Sequence, residues 1–81
     1  MTVVTLYARP DCHLCDEARA MIEELAAGSR LRIEEVDIDS NEDLLRAYLE
    51  RIPVIAVDGE IVSELVPDRS AVQARLATVG A

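Results

Sequence analysis

Apolar and polar positions divide the chain into seven segments, each with a recognisable period. Residues 2–8, Thr2-Val3-Val4-Thr5-Leu6-Tyr7-Ala8, are β-branched or apolar almost throughout and are stopped by Arg9-Pro10. Such a run suits a central strand covered on both faces. From Leu14 onward the apolar residues Leu14, Ala18, Met21, Ile22 and Leu25 recur at helical spacing. Asp16, Glu17, Glu23 and Glu24 occupy the opposite side. This predicts an amphipathic helix ended by Gly28, with Asp16 and Glu17 suited to its positive N-terminal end. Residues 31–38 alternate like a strand, but the phase slips at Glu34-Glu35, so either a bulge sits there or both faces are partly covered.

The second half repeats the pattern in shorter pieces. Ser40-Asn41-Glu42-Asp43 offers a cap and an acidic first turn to a helix carrying Leu44, Leu45, Tyr48 and Leu49 on one face. Val54-Ile55-Ala56-Val57 reads as a strand, Asp58-Gly59 as a two-residue hairpin turn, and Glu60-Ile61-Val62 as the return. Pro67-Asp68 opens a last helix bearing Val72, Leu76 and Val79, which Gly80 ends. The predicted order is β-α-β-α-β-β-α over a single domain, residues 1–81. The first βαβ unit should be parallel with a right-handed crossover, and the last two strands antiparallel.

Composition narrows the classes of function. The 81 residues are 51% hydrophobic and carry a net charge of −8, and every basic residue except the lone histidine is arginine. An acidic surface of this kind excludes nucleic acid and anionic membrane as expected partners. No secretory signal is visible at the N-terminus and no run reaches membrane-span length, so the expected compartment is the cytoplasm, and a monomer is expected.

The chemistry converges on Arg9-Pro10-Asp11-Cys12-His13-Leu14-Cys15, which holds both cysteines of the chain. Two thiols and one histidine fall short of four zinc ligands, so no metal site is expected, and a cytoplasmic C-x-x-C is more often catalytic or metal-binding than structural. Cys12 falls at the N-cap of the first helix, where free backbone N–H groups and the helix dipole stabilise a thiolate. Cys15 lies one turn in, on the face of Ala18 and Ile22, and should be the more sheltered thiol. This asymmetry suits disulfide exchange, with Cys12 as nucleophile and Cys15 as resolving residue. Arg9 favours the thiolate while Asp11, Asp16 and Glu17 oppose it; His13, when protonated, would favour it as well. Pro53 stands just before the third strand, where a trans Ile-Pro turn is the ordinary expectation.

The element order, the C-x-x-C at the first helix and the lone proline before the third strand together resemble the thioredoxin superfamily, and within it the glutaredoxin-like group. The matching segments are Leu6–Cys15, Val36-Asp37-Ile38-Asp39 and Arg51-Ile52-Pro53-Val54. The resemblance implies an α/β, thioredoxin-like (glutaredoxin-type) fold. Its four-stranded mixed sheet has order 2-1-3-4, with two of its three helices on one face and one on the other. It also implies that Pro53 is cis and faces the cysteines, that the backbone of Ile52 bonds an extended substrate, and that Arg9 meets a glutathione carboxylate. Three features depart from the family. His13 replaces the proline common in glutaredoxins, thioredoxin's neighbouring tryptophan and glycine are absent, and Ile61-Val62-Ser63-Glu64-Leu65 occupies the place of a Gly-Gly pair and its following acidic residue. Side chains there oppose a close backbone approach by glutathione.

The expected activity is a dithiol–disulfide oxidoreductase that reduces a protein disulfide and is recharged by a reductase or by glutathione. No cofactor is needed, since the cysteine pair carries the electrons. Cys12 and Cys15 are the expected catalytic residues, and Arg9, His13, Ile52 and Pro53 the expected substrate-contacting ones. The alternative is a redox-inactive or metal-binding module on the same fold.

Overall fold

A computed structural model of the chain describes residues 1–80. Its elements are β1 (Thr2–Ala8), α1 (His13–Ala26), β2 (Leu31–Asp37), a 3₁₀ turn (Ile38–Ser40), α2 (Glu42–Tyr48), β3 (Val54–Val57), β4 (Glu60–Glu64) and α3 (Arg69–Val79). The four strands form one sheet in the order β2-β1-β3-β4. β1 runs parallel to β2 and antiparallel to β3, and β4 is antiparallel to β3.

Local chemistry explains the boundaries. The side chains of Cys12, Asn41 and Asp68 each accept a backbone N–H at the start of α1, α2 and α3. Asp68 is thus the cap of α3 and Pro67 lies outside the helix. Asp58 and Gly59 take positive φ values of 49° and 86°, as a tight hairpin requires. The Asp58 carboxylate also accepts from Val3 N–H at 2.9 Å, which pins the turn to the start of β1.

Alternation along β1 decides where the core sits. Val4, Leu6 and Ala8 are buried against Cys15, Ala18, Met21 and Ile22 of α1 and Val72 and Leu76 of α3. The β1–β3 register adds Val57 beside Val4 and Ile55 beside Leu6. Each fully buried aliphatic side chain of this kind contributes roughly 1.5–3 kcal/mol. α2 packs on the other face, where Val54 and Ala56 are buried but Tyr7 is only half-buried. No residue of α2 is fully buried.

Two elements differ from expectation. β2 pairs with β1 without interruption, so Glu34-Glu35 is not a bulge, and neither residue is covered. β2 is an edge strand, which leaves both glutamates in solvent, and Glu35 meets Arg19 of α1 with two hydrogen bonds of 2.6 and 2.7 Å. The second difference is β4, which continues to Glu64 through an irregularity opposite Ile55/Ala56.

The Arg19 guanidinium holds the Glu35 carboxyl below its ordinary value of 4.5, by hydrogen bonding first and by charge second. The pair therefore favours the fold above about pH 4.5 and loses that contribution as the pH falls through the lower folded value. An exposed pair of this type is worth at most about 1 kcal/mol. Urea unfolding followed from about pH 5 to pH 3 should show a shallower acid loss in Glu35→Gln than in the parent chain. Identical acid limbs would mean that the pair adds nothing.

Candidate functional site

β1 ends at Ala8, and the three residues Arg9-Pro10-Asp11 turn the chain into α1, with Asp11 at φ 59°. Cys12 is the N-cap, extended at φ −109° and ψ 107°. Its Sγ accepts the Cys15 backbone N–H at 3.2 Å, and its carbonyl accepts Asp16 N–H at 3.1 Å. Cys12 and Cys15 are joined as a disulfide, with Cα atoms 5.1 Å apart.

The two sulfurs differ in surroundings. Cys15 is fully buried within the α1–sheet–α3 core, whereas Cys12 is half-buried at its margin. After reduction, a thiolate on Cys12 would keep the Cys15 N–H as a donor and the positive end of α1 beside it. Cys15 is closed off from solvent by the apolar cluster around it. The pair is chemically suited to redox exchange, with one accessible and one sheltered sulfur.

The Ile52–Pro53 peptide bond is cis. Val54 stands opposite Tyr7, so the next step toward Pro53 runs to the end of β1, the same end of the sheet from which Cys12 departs. Pro53 is buried, and Ile52, like Cys12, packs on the margin of the core. The Ile52 N–H is already bonded to Tyr48 C=O at 3.0 Å. An extended partner would therefore find the Ile52 carbonyl but not its N–H.

The remaining expected residues are less committed to the pair. Arg9 meets Asp39 at 3.4 Å, and both side chains are substantially exposed. His13 is 89% exposed and points to Glu17 at 3.5 Å, along the outer face of α1. Cys12, Cys15 and Pro53 are thus gathered at one end of the sheet, while Arg9 turns to Asp39 and His13 to solvent. Among the described residues, no group of three or more His, Cys, Asp and Glu side chains is placed to hold a metal ion. No helix among them is long and apolar enough to cross a membrane.

A further cluster was not anticipated. Glu64 receives two hydrogen bonds from Arg51, at 2.7 and 3.0 Å. The Arg51 guanidinium lies 5.1 Å from the centre of the Tyr48 ring, which stacks on Tyr7 at 4.6 Å. Leu65 N–H donates to Arg51 C=O at 2.9 Å. The segment before Pro53 is therefore tied to the end of β4 by side chain and backbone together. Opposite charges at positions 51 and 64 were the only sequence signal for this cluster.

Comparison with known proteins gives a consistent family. The solution structure of protein Ne2328 from Nitrosomonas europaea is similar at 30% identity and a TM-score of 0.79, covering 91% of this chain and 89% of its own. Protein XcR50 from X. campestris is 34% identical with a TM-score of 0.76, over 93% of this chain and 96% of its own. A single-residue mutant of thioredoxin from Halobacterium salinarum is 27% identical with a TM-score of 0.68, over 95% and 73% respectively. A search of curated protein sequences gives no significant match. The family described as "Glutaredoxin-like domain (DUF836)" matches residues 3–77. With its cysteine pair at the head of α1 and the cis proline before β3, the chain belongs to this glutaredoxin-like family, within the thioredoxin superfamily.

Proposed function

We propose that the protein is a dithiol–disulfide oxidoreductase that reduces disulfides in other proteins. The observation that carries this reading is the asymmetry of the cysteine pair. Cys12 lies at the core margin with its sulfur facing a helix N-terminus, and Cys15 lies fully buried within disulfide reach. The Cys12 thiolate attacks one sulfur of the substrate disulfide and forms a mixed disulfide, and the other substrate sulfur leaves as a thiolate and takes a proton. Cys15, once deprotonated, attacks the Cys12 sulfur, closes the internal disulfide and releases the second substrate thiol. Two electrons have moved to the substrate, and an external reductant must return two to the pair.

Pro53 and the Ile52 carbonyl form the other wall of the substrate site, and Arg9 is the nearest arginine in sequence to Cys12. His13 is turned outward beside Glu17, away from the pair. The test is reduction of a protein disulfide such as insulin's, with thioredoxin reductase and NADPH in one arm and glutathione with glutathione reductase and NADPH in the other. Turnover is expected in the first arm to exceed that in the second. If neither arm turns over, and chemically reduced protein also fails to reduce insulin, the proposal is wrong.

A further inference from the structure

Three arginines stand near the redox end of the sheet, and each is already occupied. Arg9 meets Asp39, Arg19 meets Asp16 and Glu35, and Arg51 meets Glu64. The first of these is a single contact at 3.4 Å between exposed side chains and opens easily. Arg51 is held differently. Its Nε and one terminal nitrogen both engage the Glu64 carboxylate, its face lies over Tyr48, and its own carbonyl is bonded to Leu65 N–H.

The placement of Glu64 follows from the hairpin. Counting two by two from Asp58-Gly59 would pair Val54 with Ser63. One extra residue, Val62, shifts the register so that Ile55 meets Ser63 and Val54 meets Glu64. Glu64 therefore joins the row Val36–Tyr7–Val54 on the face covered by α2, one step from Pro53. The bulge delivers a carboxylate to the cation beside the substrate-facing segment. Arg51 and Glu64 respond as a pair: hydrogen bonding raises the first and lowers the second.

We propose that Glu64 is a specificity-determining residue: by occupying Arg51 it denies a small anionic thiol or disulfide of the glutathione class a cation beside the Ile52–Pro53 segment, and so biases the site toward protein disulfides. This rests on the reading of Cys12 as the attacking thiol. A dicarboxylate tripeptide needs cations to offset its charge against a protein of net charge −8, whereas a protein segment docks by its backbone and apolar groups. Removing the Glu64 charge while keeping its size frees Arg51 for the ligand's carboxylate.

The experiment uses the reduced Cys15→Ser chain, in which Cys12 reacts once. Second-order rate constants are measured with glutathione disulfide, which is anionic, and with bis(2-hydroxyethyl) disulfide, which is neutral. In each case the Cys12 sulfur joins one sulfur of the probe and one thiolate is expelled. Adding Glu64→Gln should raise the anionic-to-neutral rate ratio about three- to fivefold, the scale of one freed surface cation. Combining it with Arg51→Gln should return the ratio to its starting value. Glu23→Gln, which removes the same charge from the outer face of α1, should leave it there. An unchanged ratio in Glu64→Gln, or a gain that survives loss of Arg51, overturns the proposal. Failure of Cys12 to react with either disulfide overturns the parent reading instead, and this inference with it.

Discussion

Cys12→Ser should lower protein-disulfide reduction by at least about a thousandfold, the scale expected when a covalent nucleophile is lost. Cys15→Ser should also abolish repeated turnover, but by a different route. Its Cys12 still attacks, and the mixed disulfide accumulates because no internal thiol resolves it. Mass spectrometry after mixing with an oxidised protein should show the adduct in Cys15→Ser and none in Cys12→Ser. The physical basis is the difference in burial. Cys15 is closed off by Ala18, Ile22 and the β1 residues, while Cys12 lies at the margin of the same cluster. Adducts on Cys15 in the Cys12→Ser chain, or sustained turnover without Cys12, would reverse the assignment.

Leu6→Ala should be the most destabilising single truncation in the central strand. Leu6 is 0% exposed, stands opposite Ile55 in the sheet, and lies in the core shared by α1 and α3. Deleting its side chain removes about 2–5 kcal/mol, through lost burial and the cavity left behind. Domains of this kind have about 5–15 kcal/mol in total, so a large share of the stability goes with it. By contrast Leu49→Ala, at a residue 43% exposed at the end of α2, should change stability by no more than about 0.5 kcal/mol. Urea midpoints of the two variants in the oxidised state decide the matter. Equal shifts would show that the face against α1 and α3 is not where the stability resides.

The two expectations rest on different kinds of information, and the helices illustrate why. Cap, spacing and terminator each act within a few residues, so α1 and α3 could be placed from Cys12, Pro67-Asp68, Gly28 and Gly80, although Pro67 falls outside α3 and α1 ends at Ala26, short of Gly28. The hairpin followed from Asp58-Gly59 for the same reason. The phase slip at Glu34-Glu35 misled because alternation reports burial, and an edge strand has little burial to report. Cys15's shelter was legible because its helical face was shared with Ala18 and Ile22. His13 was harder to place: adjacency in sequence puts it beside Cys12, but helical geometry turns it away, toward Glu17.

Period, caps and turn residues were enough to determine the order of elements and the head-of-helix position of Cys12. With the family resemblance added, they also implied the sheet order and a cis bond before Pro53. These depend on local backbone preference and on a shared pattern that neighbouring residues carry. The tertiary structure alone decided what Arg51 does. Its partner lies 13 positions away, and a single extra residue at Val62 moves Glu64 into the row facing α2. A bulge changes which side chain meets which without leaving a clear mark on hydropathy. The cysteine pair was therefore readable from the chain, whereas the Arg51–Glu64 pair proposed here to select its partners emerged only from the paired strands.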